Sequence, residues 1–190
     1  MSTSTRGSYH HGQLRPALIA EARALLDEGG PGAVSLREAA RRAGVSATAT
    51  YRHFADKEAL LAAVAAQGFH EFAEALAAPA REGKDFSQVG RAYVEFALKH
   101  EGLFRLMFSP LIRERERHPE LAAATAQAYE ALHRGVAGEW GGTEQELGAV
   151  AVSVWSLVHG LSHLLLDGVL PIELAPELID GILRPPLGPR

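Results

Sequence analysis

Cysteine is absent from all 190 residues, which excludes disulfides, thiolate nucleophiles and thiolate metal sites and suits a reducing cytoplasm. The chain does not open on a basic start followed by an apolar run. No apolar stretch is expected to be long enough and poor enough in charge to cross a bilayer, so a soluble, cytoplasmic protein with no membrane partner is expected. The period-two alternation of a half-buried strand is missing throughout, and no internal repeat is found. Phosphate-cradling glycine loops, GxSxG and HExxH are also missing, so no catalytic residue, metal or cofactor is assigned. Positive charge is lacking in sum, the net charge being −4. It is not evenly spread: residues 1–60 carry 8 Lys and Arg against 6 Asp and Glu, and residues 61–190 carry 11 against 17. A basic front of +2 precedes an acidic body of −6, a polarity that suits a head facing phosphates and a body held off them.

What is present is helix signal, concentrated in Ser35 to Leu61. Ser35 followed by Glu38 reads as a capping box that opens a helix with Leu36, Ala39, Ala40 and Ala43 inward. Gly44 ends it in the left-handed conformation, Val45 turns inward, and Ser46 caps a second helix over Ala47 to His53. Two short helices joined by a glycine turn are the geometry in which the second helix enters the major groove. Ala47, Thr48, Thr50 and Arg52, at its start, are the residues placed to meet base edges, while Tyr51, His53 and Lys57 suit phosphate oxygens.

The residues AGVS…YRHFADKEALL resemble the signature of the TetR family of bacterial one-component transcription regulators. The resemblance implies that Arg37, Thr48, Tyr51, His53 and Lys57 stand at positions used against DNA, with Tyr51 and Lys57 mainly on phosphates. Ser46 joins them as the cap of the reading helix. The chain departs from the commoner pattern at Ala47 and Ala49, and at Thr50, where a larger apolar residue is usual, so shape readout and Arg52 contribute more here. A subgroup of the family has a lead-in like Tyr9 to Gly12, which places those residues near DNA.

Around this centre the expected architecture is all-α. Residues 1–12 read as a flexible arm, 13–60 as a three-helix DNA-binding domain and 61–190 as a helical bundle for ligand binding and dimerisation. Leu14, Leu18, Ile19, Ala22, Leu25 and Leu26 form the stripe of a supporting helix stopped by Gly29-Gly30-Pro31-Gly32. A helix from Asp56 to about Ala78, stopped near Pro79, extends roughly 30 Å and joins head to body as a lever.

In the body, Phe69, Phe72, Tyr93, Phe96, Phe104, Met107, Phe108, Trp155 and His159 suit an apolar pocket for a small effector. Any one of them is equally explained as core. His159 and His163 lie four apart on one face, and His10 and His11 adjoin, but neither pair has a third metal ligand nearby, so both are read as metal-free. The helix from Thr143 to Asp167 is apolar on more than one face and needs cover from a second copy. Trp155, Val158, Leu161 and Leu165, with Ile179 and Leu183 of the last helix, are the expected dimer contacts. The WSLVHG run resembles a C-terminal domain type of this family named for its Trp-His-Gly. The resemblance implies a homodimeric repressor of a palindromic operator in double-stranded DNA, its two heads one helical turn apart (roughly 34–36 Å), released by a small apolar or aromatic effector.

Overall fold

The computed structural model describes residues 13–82, 86–139 and 142–183, and among these the regular structure is helical with no strand. The arm assigned to residues 1–12 lies outside the described residues. The helices are α1 (Leu14–Ala33), α2 (Leu36–Arg42), α3 (Ala47–Thr50), α4 (Lys57–Arg81), α5 (Phe86–Lys99), α6 (Glu101–Met107), α7 (Pro119–Glu139), α8 (Glu144–Leu166) and α9 (Ala175–Leu183). Short 3-10 turns at Arg115–Arg117 and Ile172–Leu174 lead into α7 and α9.

The head is built by local chemistry. Leu18, Ile19, Ala22, Leu25 and Leu26 form the buried stripe of α1. Gly29 and Gly30 leave helical geometry, Gly30 at φ +68°, and one further turn through Pro31 carries the element to Ala33. Ser35 Oγ accepts the amide of Glu38 at 3.1 Å, as a cap should. The expected return arm of the capping box is diverted: the Glu38 carboxylate accepts from Arg41 at 2.6 Å and from Arg42 at 3.2 Å. After α2, Gly44 takes φ +70°. Its amide donates to Arg41 O and that of Val45 to Ala40 O at 3.0 Å, the bond pattern of a helix closed by a left-handed glycine.

α3 is shorter than the sequence predicts. It stops at Thr50, and Tyr51 to His53 form a turn in which the amides of His53 and Phe54 both donate to Thr50 O. Burial of Phe54, 3% exposed, draws the chain inward at that point. Asp56 Oδ1 then accepts the Ala59 amide at 2.8 Å and starts α4. At 25 residues α4 is about 37 Å long, and it continues past Pro79 to Arg81, with the backbone one helical hydrogen bond short at the proline.

α4 packs against α1 near its start and against α5, α6 and α7 along its length, so one core runs from head to body. α6 lies close at Gly68, where an added Cβ would meet the Leu103 side chain at 2.8 Å. α7 runs through Gly138 to Glu139. α8 begins with the predicted Thr143 and Glu146 capping box. The expectation about membrane-crossing stretches needs correction, since α8 is long and apolar enough to cross a membrane by length and composition. In the fold it is a wall of the body, burying Leu147, Ala151, Val154, Val158, Leu161 and Leu165 and packing on α5, α7 and α9.

Candidate DNA-binding and effector sites

The outer side of the α2–α3 unit is open to solvent. Arg37, Ser46, Thr48 and Arg52 are exposed, Tyr51 is 57% exposed, and Ala47 is half-buried. Ser46 Oγ accepts the Ala49 amide at 3.3 Å, so it caps α3. Lys57 is exposed, with Nζ donating one bond to the Pro31 carbonyl at 2.7 Å, which holds the ammonium at the end of α1. His53 is half-buried and faces a cleft between head and body, with Arg15, Phe54, Arg117 and His118 on its other walls.

Thr50 does not reach the base edges expected of it. It is fully buried, and its Oγ1 donates to the Ala47 carbonyl at 2.6 Å. The sequence signal for this is the spacing of four from Thr50 to Phe54, which puts both on the inner face of the turn.

Beside the open face, the arginines of α2 are fixed by carboxylates. Arg42 bridges Glu28 of α1, at 2.6 Å, to Glu38. The Arg41 and Arg42 guanidiniums hold the Glu38 carboxyl down to about 2, and the Arg42 hydrogen bond lowers that of Glu28. Arg41 keeps a mostly exposed side chain on the same side.

Two polar links that the sequence did not signal tie head to body. Glu58, in the first turn of α4, accepts the backbone amides of Arg113 at 3.1 Å and Glu114 at 3.3 Å. Arg15 of α1 pairs with Glu120 in the first turn of α7, and its guanidinium lies 5.5 Å from the centre of the Phe54 ring. Nothing local marks these pairs, because their partners are 55 or more residues apart.

Between α4, α5, α7 and α8 lies a small cavity with room of about 30 Å³. Of the expected effector residues, Phe69, Phe72, Tyr93, Phe108 and Trp155 line it. Phe96, Phe104 and Met107 do not: they are buried behind it, with Phe96 and Phe104 packed on Phe72. His159 reaches it through Tyr93. The Trp155 Nε1–H donates to the Tyr93 hydroxyl at 2.9 Å, and that hydroxyl shares a hydrogen bond with His159 Nδ1 at 2.9 Å. Burial raises the Tyr93 phenol well above its usual range and, with the neighbouring His163, lowers His159. α7 contributes Thr125, Ala128, Tyr129 and Leu132, a wall the sequence reading missed because Ala128 and Leu132 carry the same spacing as core. His159 and His163 meet edge to face with ring centres 4.7 Å apart, and among the described residues no third metal-ligating side chain joins them.

The expected dimer contacts also need correction. Val158, Leu161, Leu165 and Ile179 are buried within the subunit, where they build its own core. Trp155 is half-buried against the cavity, and the Leu183 side chain lies outside the described residues. The apolar side chains of α8 left open are Val152, Leu157 and Leu164, 48%, 46% and 44% exposed, with Ser153, Ser156 and Gly160 beside them.

A family model described as "Bacterial regulatory proteins, tetR family" matches residues 18–64, and one described as "Tetracyclin repressor-like, C-terminal domain" matches residues 86–183. The chain belongs to the TetR family. It is a transcription regulator with a helix-turn-helix domain and not an enzyme. No functionally curated protein matches this TetR-family chain. Among solved structures it is 31% identical to a protein of unknown function from Rhodococcus sp. RHA1, over 93% of this chain and 95% of that one, with a TM-score of 0.76. A TetR transcriptional regulator from Rhodococcus sp. RHA1 shares the fold at 22% identity, 90% and 96% coverage and a TM-score of 0.59. The multidrug binding protein EbrR, solved with imidazole, shares it at 22% identity, 97% and 99% coverage and a TM-score of 0.65.

Proposed function

We propose that this TetR-family regulator is a cytoplasmic homodimeric repressor that grips a palindromic operator and lets go when a small apolar or aromatic effector fills the cavity beside Tyr93 and Trp155. The single observation that carries the reading is the open face of α3 and the turn after it, with Thr48, Arg52, the Tyr51 phenol and Lys57 all in solvent. Thr48 and Arg52 would meet base edges, and Arg37, Tyr51, His53 and Lys57 would hold phosphates. Residues 13–60 would act as the DNA-binding domain and 61–190 as the effector and dimerisation domain. The Trp155, His159 and Gly160 run supports placing that body in the Trp-His-Gly type.

The open stripe of α8 supports dimerisation. Leu157 and Leu164 are exposed apolar side chains with small neighbours, and a two-fold copy would cover them. The cavity supports release by a ligand, since α4 borders it and also begins at the head. Only a difference in effector affinity between the gripping and released states drives the change. The test is selection of bound fragments from random DNA at stated salt, with and without Tyr51→Ala. Enrichment of an inverted repeat by the natural chain and its loss in the variant supports the reading; a pool without a shared half-site sinks it.

A further inference from the structure

We propose that His100 is a proton-sensitive latch between head and body: neutral, it accepts a hydrogen bond from Arg23 and holds α1 in place, and protonated it lets α1 go. The latch is additional to the repressor reading and would act in the protein with no DNA or effector bound. Arg23 belongs to α1, its side chain is 17% exposed, and it reaches two elements of the body. Nη1 lies 3.4 Å from Glu71 Oε2 of α4, and Nη2 lies 3.2 Å from Nδ1 of His100, the residue joining α5 to α6. A guanidinium has donors only, so Nδ1 has to be the acceptor and the neutral imidazole carries its proton on Nε2. A second proton can then go only to Nδ1. It takes the lone pair that Arg23 uses and leaves two cations at hydrogen-bond distance.

The charged groups facing the imidazole are Arg23 and Asp27 of α1, Glu71 of α4 and Lys99 of α5. The Phe96 ring packs on it with centres 4.8 Å apart, and Glu101 of α6 is occupied by Arg105 at 2.9 Å. Asp27 and Glu71 each stand 3.4 Å from the guanidinium, and Arg23 Nε is buried with no hydrogen bond, so the arginine is short of acceptors even with the latch closed. Burial first and the Arg23 charge next hold His100 below its ordinary range, by more than Glu71 and Asp27 raise it. The proton therefore binds more readily once α1 has moved off, and acid favours that state. Release reaches the helix-turn-helix through α1 itself. Gly102 of α6 abuts α1 just beyond Arg23, where an added Cβ would come 3.3 Å from the Leu26 carbonyl, and two residues further on Glu28 holds Arg42 of α2 at 2.6 Å.

The test compares the full natural chain with His100→Gln, whose amide oxygen accepts from Arg23 at every pH, and with His100→Lys, which carries a fixed cation. The other histidines are common to all three, so any difference belongs to position 100. NMR of the imidazole nitrogens reads the tautomer and titration of His100, and hydrogen exchange, corrected for intrinsic rates, reads the protection of α1 at pH 7.5 and 5.0. The neutral ring should carry its proton on Nε2, and Arg23→Gln should raise the titration midpoint by about half a pH unit or more. From pH 7.5 to 5.0 the natural chain should lose about three-fold more α1 protection than His100→Gln, and His100→Lys should show that loss already at pH 7.5. Should His100→Lys not fold, the natural chain and His100→Gln decide alone. A proton on Nδ1 of the neutral ring, a midpoint unmoved by Arg23→Gln, or equal α1 protection in the natural and His100→Gln chains at pH 5.0 overturns the latch.

Discussion

At positions 50 and 51 the chain changes sides. Thr50 is sealed in the core with its hydroxyl on the Ala47 carbonyl, and the next side chain stands in solvent. Thr50→Val keeps the shape and loses one buried bond, a change of about 1 kcal/mol in stability. Its DNA affinity should stay within two-fold of the natural chain in a gel-shift titration. Tyr51→Ala should do the reverse, leaving the melting temperature unchanged and weakening DNA binding about ten-fold, or roughly 1.4 kcal/mol. Gly44 is a third decisive residue: at φ +70° a side chain is strained even though open space surrounds the site. Gly44→Ala should therefore cost about 1 kcal/mol in chemical denaturation, by conformation and not by collision.

Among the elements, α8 divides its apolar residues between an inner and an outer face. Its inner face belongs to the subunit, and Val152, Leu157 and Leu164 face out. Leu157→Glu should split the dimer in sedimentation equilibrium while leaving helicity intact. Val158→Glu, one residue on but fully buried, should unfold the body, because an unpaired carboxylate would be placed in the core. If Leu157→Glu leaves the association state unchanged, the outward stripe is not the interface. α4 shows the other kind of constraint. Gly68 lets α6 lie against it, so Gly68→Ala should cost about 1–3 kcal/mol by forcing the Leu103 side chain aside.

At the scale of the molecule, head and body share one core and are pinned by Arg15 to Glu120 and by Glu58 to the amides of Arg113 and Glu114. Two histidines contribute to the response of this fold to mild acid. Burial lowers both His100 and His159 below their ordinary 6.5, assisted at His100 by the Arg23 charge and at His159 by His163. The unfolded chain then binds more protons than the folded one as pH falls through 6.5, so these groups stabilise the fold fully above that pH and progressively less below it. Melting temperature should be flat from pH 8 to 7 and decline toward pH 5, less steeply in a His100→Gln variant.

The sequence by itself determined the features that depend on a few neighbouring residues: the caps at Ser35, Ser46 and Thr143, the glycine turn at 44, the helical stripes and the family signature around Tyr51. These were legible because a cap or a left-handed glycine is satisfied within about one turn of chain. The tertiary structure alone decided which of two apolar faces of α8 is core, which aromatic rings line a cavity and which merely back it, and where Arg15 and Glu58 find their partners. Periodicity shows that a side chain is apolar and on which stripe it sits. What that stripe meets depends on helices far away in the chain, and only their packing assigns it to core, cavity or open surface.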